Sequence, residues 1–198
     1  MIHFRIRDML SVLLYRLLRP AFGQLGQGAR IIRPLRLVGA RHLFMDDGAT
    51  LQVGAYFAAL PDTGHTPEMR IGAGTMIGNH AHIICTRRIT IGVNVLVADR
   101  FYVADNAHEH RNPAQPVIAQ GLRQLADVSI GDGAWIGENV CIIGASVGQN
   151  SVIGANSVVT RSIADFTVAV GAPAIPIRRY CFQSKHWLPT DPTGAFLP

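Results

Sequence analysis

An aliphatic residue returns at every sixth position through the middle of this chain: Ile71, Ile77, Ile83 and Ile89, with Gly72 and Gly78 directly after the first two. The beat restarts at Ile91-Gly92, Val97-Ala98 and Val103-Ala104. It resumes beyond Gly121 as Ile130-Gly131, Ile136-Gly137 and Ile142, then rephases through Val147-Gly148, Ile153-Gly154 and Val159. A period of six fits neither the roughly 3.6 of a helix nor the alternation of a strand. It fits a solenoid of hexapeptides, in which three short strands make each triangular coil and every sixth side chain points inward. The aliphatic residue fills the prism, and the small residue after it lets the chain bend at a corner. The chain is therefore expected to be mainly β.

At 198 residues this is one domain with a sizeable core and room for a terminal appendage. The net charge of +5 comes partly from the amino end, through Arg5, Arg7, Arg16, Arg19, Arg30, Arg33, Arg36 and Arg41. Such a surplus suits phosphates, acidic lipid headgroups or simple solvation, and no nucleic-acid motif accompanies it. Cys85, Cys141 and Cys181 are widely spaced without a CxxC pair; Cys141 lies within the repeat and Cys85 on an irregular coil, which reads as buried free thiols in a reducing compartment.

Residues 1–27 form an amino-terminal segment whose first part reads as an amphipathic helix. Ile2, Ile6, Met9, Leu10, Leu13 and Leu17 keep helical spacing, with Arg5, Asp8 and Arg16 off that face, and Pro20 ends the pattern. The apolar run is too short to span a membrane, and no secretory cleavage site follows it. Two readings stand: a cap covering the open edge of the first coil, and a peripheral membrane anchor flanked by basic residues. The solenoid is expected over 28–177, irregular at first (Ile32, Val38, Leu51, Val53), with a turn at Pro61-Asp62-Thr63-Gly64. Residues 105–127 break the beat as an inserted loop. After Val159 the beat fades, Thr167–Ala174 leaves the prism, and residues 178–198 form a tail.

The insertion opens with the densest polar cluster of the chain, Asp105-Asn106-Ala107-His108-Glu109-His110. Insertions in solenoids collect on the binding face. A loop histidine on a rigid scaffold has the proton affinity of a general base near neutrality, and His108 is the candidate. Asp105, Glu109 or a backbone carbonyl would fix its tautomer.

The beat, the Asp105–His108 loop, Trp135-Ile136-Gly137 and the closing Val170-Gly171-Ala172-Pro173-Ala174 resemble the left-handed β-helix acyltransferases. More narrowly, they resemble the galactoside/maltose acetyltransferases and the O-acetyltransferases of polysaccharide synthesis. The resemblance covers roughly 71–180. It implies a left-handed parallel β-helix, a homotrimer, and acetyl-CoA as acyl donor in a groove between adjacent prisms. It places His108 as catalytic base, and Asn79, Asp105 and His110 at the acceptor. Trp135, Gly137, Glu138 and Ala155 would line the pantetheine arm, with Thr160, Arg161 and Arg178 near the coenzyme phosphates. The implied activity is O-acetylation of a saccharide in surface polysaccharide (O-antigen, capsule or exopolysaccharide) synthesis, in the cytoplasm or at the inner face of the membrane. Asn106 stands where the polysaccharide branch often has His, and Glu109 where the galactoside branch has Pro.

Three rivals remain at this level. An N-acetyltransferase of a nucleotide-linked amino sugar would use the same base and coenzyme. A non-catalytic scaffold would need neither His108 nor Thr160-Arg161. A zinc enzyme resembling the γ-class carbonic anhydrases would draw on His80, His82, His108 and His110, but the pair of histidines five residues apart is missing. No metal is expected.

Overall fold

The structure, a computed structural model, describes residues 2–197, with side chains from residue 6 onward. Ile2 and Arg5 of the expected amphipathic pattern thus have side chains outside the described residues. After a helix, α1 (Ile2–Leu17), the chain winds into a three-sided prism whose coils each lay one short strand on each of three faces. Coil 3 contributes Glu68–Ile71, Met76–Ile77 and His82–Cys85 to faces 1, 2 and 3. Coil 4 contributes Arg88–Ile91, Leu96–Val97 and Tyr102–Ala104, and coil 5 Val128–Ile130, Trp135–Ile136 and Cys141–Ile143. Successive coils pair in parallel, and the architecture is that of a left-handed parallel β-helix.

The sixfold beat is the core. Every beat residue from Ile71 to Val159 is buried, because a strand of two to four residues between corners leaves one or two side chains facing inward. The small residues have a steric cause as well. A Cβ on Gly72 would lie 2.5 Å from the backbone of Gly92 in the next coil, so the corners stack too closely for a side chain there.

Coils 1 and 2 are more regular than expected. Their strands, Gln24–Leu25, Arg30–Ile31, Arg36–Val38, Leu43–Met45, Thr50–Leu51 and Tyr56–Ala59, pair in unbroken register, and the first lies ahead of residue 28. The inward residues are Ile31, Leu51 and Phe57, while Ile32, Val38 and Val53 are only half-buried. In Arg30–Ile31 the first residue points out and the second in, which leaves Ile32 at the corner.

The carboxyl end also departs from expectation. Thr167–Val170 does not leave the prism: it pairs in parallel with Val152–Ile153 on face 2, with Thr167 and Ala169 buried. The chain then reverses. Ile175–Cys181 runs antiparallel to Thr167–Val170, and His186–Pro189 antiparallel to Ile175–Cys181, so the tail extends face 2 as a hairpin.

Helix α1 does cover the first coil, but with its polar side. Asp8 pairs with Arg33 at 2.6 Å, and Ser11 Oγ donates to the Ile31 carbonyl at 3.3 Å while accepting from the Arg33 N–H at 2.8 Å. Tyr15 meets Phe22 edge to face at 6.1 Å. The outermost coil has backbone groups with no further coil to pair with, and a hydroxyl satisfies them where an aliphatic residue would not. Among the described residues, no helix is long and apolar enough to cross a membrane.

Candidate functional site

The insertion leaves the prism at the corner between face 3 of coil 4 and face 1 of coil 5, and Asp105 fixes that exit. Its carboxylate is completely buried. Oδ1 accepts from Thr86 N–H (2.8 Å), Thr86 Oγ (2.9 Å) and Asn106 Nδ2 (3.0 Å). Oδ2 accepts from the backbone N–H groups of Arg87 (2.7 Å) and Arg88 (2.8 Å). With these five donors and the Cys85 thiol on it, this carboxylate ties the corner of coil 3 to the root of the insertion. It is not turned to an acceptor or to His108, contrary to its expected role.

From that root the chain forms a hairpin in which Asn106–His108 pairs antiparallel with Leu122–Gln124, placing His108 opposite Leu122. Gln124 locks it: Nε2 donates to the Asp105 carbonyl at 2.7 Å, and Oε1 accepts from Thr63 Oγ (2.7 Å) and lies 3.0 Å from Thr86 Oγ, whose single proton it shares with Asp105. The turn at Pro61–Gly64 is thereby drawn against the insertion, and the two excursions share one wall.

They enclose a cleft of about 420 Å³ over face 3, lined by Asp62, His82, Tyr102, Asn106 and His108 among others. His108 is exposed, and among the described residues its ring makes no hydrogen bond. Glu109 does not reach it. That carboxylate is bound by Arg111 and by the N–H groups of residues 110 and 111, which hold its pKa down to about 2, the Arg111 guanidinium being the largest cause. His110 lies outside the cleft, with Nδ1 3.2 Å from the His108 carbonyl. Asn79 sits at the far corner of coil 3, before the face 3 strand, where Nδ2 donates to both oxygens of Asp99 at 3.1 Å.

The cleft contains two groups that the sequence pattern did not single out for the acceptor. Asp62, seen only as a turn residue, is an acid at its rim. His82 stands in a column of rings on the outer side of face 3, 4.7 Å from Tyr56 and 5.4 Å from Tyr102, both edge to face. Desolvation in this column lowers the His82 pKa, and burial raises that of Tyr102. Both His82 and Tyr102 alternate with inward residues on their strands, a signal visible in sequence; their adjacency across coils is not.

The expected coenzyme residues divide between two edges of face 3. Trp135, Gly137, Glu138 and Ala155 lie on face 2 or at its corner with face 3. Thr160-Arg161 follow the last face 3 strand, Val158–Val159, on the same edge as the His108 hairpin and two coils further along. At the first edge, the Gly137 N–H donates to the Ile153 carbonyl (2.8 Å) and the Glu138 carbonyl accepts from Asn156 N–H (2.8 Å), so the ladder consumes both groups. The Glu138 side chain pairs with Arg100 at 2.9 Å. What remains outward is the half-exposed Trp135, exposed Ala155, and a groove of about 470 Å³ whose lining includes Trp135, Val152, Val168, Arg178 and Trp187. Register explains the grouping: Trp135 faces Val152, Val152 faces Val168, and Val168 faces Arg178 across the hairpin. Arg178 thus joins Trp135, and Trp187 is an addition that the tail sequence gave no means to place.

Cys85 is buried 3.8 Å from Asp105, and burial with that neighbouring charge pushes its thiol up to about 12. Among the described residues, no group of three His, Cys, Asp or Glu side chains is placed to hold a metal ion, so His80, His82, His108 and His110 do not converge within one chain.

Residues 127–161 match a sequence profile described as the hexapeptide repeat of succinyl-transferase. Over 121 residues the chain is 32% identical to galactoside O-acetyltransferase of Escherichia coli K12, covering 61% of this chain and 58% of that one. Over 118 residues it is 36% identical to WbbJ of the same strain, provisionally named a lipopolysaccharide biosynthesis O-acetyl transferase, covering 56% of this chain and 60% of WbbJ. The chain spans a little over half the length of these relatives. Among solved structures, galactoside acetyltransferase in complex with coenzyme A is similar at a TM-score of 0.61 and 27% identity, covering 78% of this chain and 72% of that one. The Bacillus cereus N-acyltransferase AntD, solved with dTDP and 3-hydroxybutyryl-CoA, reaches a TM-score of 0.70 at 15% identity, covering 86% and 90%, a likeness of fold.

Proposed function

The chain belongs to the hexapeptide-repeat acyltransferase family, and on that premise we propose that it transfers an acetyl group from acetyl-CoA to a saccharide hydroxyl, with His108 as general base. The observation that carries this reading is the placement of His108: exposed, its ring without a hydrogen bond among the described residues, and held at the mouth of a cleft by a hairpin that Gln124 and the buried Asp105 lock to the prism. Rigid mounting of a base is what proximity catalysis requires.

In the proposed reaction the acceptor enters over His82 and Tyr102. His108 takes the hydroxyl proton as the oxygen attacks the thioester carbonyl. The new C–O bond forms, the C–S bond breaks, and the proton passes to the departing coenzyme A thiolate. Polar groups around a sugar suit the rim, with Asp62 and Asn106 as hydrogen-bonding partners.

The two-edged arrangement of the coenzyme residues supports a groove shared between copies. On one prism, face 3 separates the Trp135–Arg178 edge from the His108–Arg161 edge. Two prisms side by side would bring one edge of each together, as a homotrimer does with three such grooves. The branch resemblance and the WbbJ match favour a saccharide of surface polysaccharide synthesis as acceptor.

The test is thiol release from acetyl-CoA with a panel of saccharides and their amino counterparts, using wild type and His108→Ala. Release with hydroxyl acceptors, lost by a factor of about 10²–10⁴ in the variant, is the expected result. Release only with amino sugars would move the assignment to N-acetylation. Unchanged turnover in His108→Ala would remove the base.

A further inference from the structure

An amphipathic helix on a globular protein ordinarily turns its apolar stripe to the core. Helix α1 does the reverse. The side chains toward the prism are Asp8, Ser11, Val12 and Tyr15, and the anchoring contacts are the Asp8–Arg33 pair and the Ser11 hydrogen bonds. Facing outward are Ile6, Met9, Leu10, Leu13, Leu14 and Leu17, followed by Leu18, all exposed and reaching 67% for Met9 and 73% for Leu17. They follow the i, i+3, i+4, i+7 spacing of a single stripe.

The charges around this stripe are of one sign. At 100° per residue, Arg7 and Arg16 fall roughly a quarter-turn to either side of it, and both are exposed. Arg19 joins Arg16 in lining a cleft of about 470 Å³ beside the carboxyl end of the helix. Asp8 is the sole acid of α1, and it is spent on Arg33 at the prism side. A second copy of the helix laid on this stripe would set arginine against arginine with no acid to answer it. An anionic lipid surface answers both features, taking the leucines into the acyl boundary and the arginines at the headgroups.

We propose that α1 docks this protein on an anionic lipid bilayer through the Ile6–Leu18 stripe, with Arg7, Arg16 and Arg19 at the phosphates. The inference is independent of the acetyl-transfer reading, since it uses none of the same residues.

The experiment is co-sedimentation of the full chain with vesicles of phosphatidylcholine mixed with phosphatidylglycerol, and with phosphatidylcholine alone. Variants Leu13→Asp/Leu17→Asp and Arg7→Glu/Arg16→Glu are run beside wild type, with circular dichroism to show that each retains the β-helix. Wild type should pellet with the mixed vesicles and much less with the neutral ones. The leucine variant should lose binding, and the arginine variant should weaken it on the order of thirtyfold, more so at low salt. Failure of wild type to pellet, or equal binding to both vesicle types, overturns the proposal. So does sedimentation velocity in which the leucine variant breaks up an assembly that wild type forms without lipid, which would assign the stripe to a contact between copies. Because the altered side chains are exposed, loss of binding with the fold kept is readable directly.

Discussion

His82 and Tyr102 meet edge to face with ring centroids 5.4 Å apart, and both line the cleft that His108 borders. In the proposed reaction, this pair of rings on the outer side of a rigid sheet would be a platform for the apolar face of the sugar. Aromatic contacts of this kind contribute about 0.5–1.5 kcal/mol. His82→Ala is therefore expected to raise the acceptor KM by about three- to tenfold, leaving the KM for acetyl-CoA unchanged, as initial-rate kinetics would show.

The same residue leaves a mark on stability. Desolvation depresses the His82 pKa in the folded protein, so the unfolded chain takes up that proton more readily. Its contribution is present above the ordinary histidine pKa of about 6.5 and is lost as pH falls from there through the depressed folded value. His82→Phe should flatten the acid side of the Tm-against-pH curve in that window. An unchanged slope would show that the column does not desolvate the ring.

Asp105→Ala should be severe without touching the acceptor. It strands the backbone N–H groups of residues 86, 87 and 88 at a buried corner, and each unsatisfied group costs about 1–3 kcal/mol. Urea denaturation should show a loss of about 3 kcal/mol or more. Where the variant still folds, the hairpin loses its root, and kcat should fall more than either KM rises.

The three thiols should separate by reactivity. At pH 8, a pKa of about 12 leaves Cys85 roughly one part in ten thousand thiolate, whereas hydrogen bonding from Ser184 lowers the Cys181 pKa. Timed alkylation read by mass spectrometry should label Cys181 first and Cys85 only on unfolding.

Mixing tests the shared groove. His108→Ala and Trp135→Ala alter opposite edges of face 3, so each should be weakly active alone. In mixed assemblies refolded together, some grooves would draw an intact edge from each partner and regain activity. A mixture no more active than its components would place the whole site on one chain.

Much of the prism was legible because its core is written locally: a beat residue needs only its own strand to point it inward, and Ile71 through Val159 all do so. The hairpin was legible as an interruption of that beat. What escaped was decided between coils. Asp105 looked like part of a polar cluster because its partners, the N–H groups of Thr86, Arg87 and Arg88, carry no side-chain signature. Trp187 reached Trp135 only because the chain reverses after Gly171. The orientation of α1 was left open because its leucines suit a core or a membrane alike, and it was decided by the carbonyl and N–H groups at the edge of the first coil, which Ser11 satisfies.

Across the insertion, face 1 pairs as though nothing had been added: Ile89 with Val128, Thr90 with Ser129, Ile91 with Ile130. The segment between is therefore a cassette. Its root, Asp105 and Gln124, is bound into the corner of coil 3, while the stretch 110–119 between is exposed throughout. A lineage can rewrite the tip of this loop while keeping its root, and an engineer can exchange tips between prisms without repacking either core.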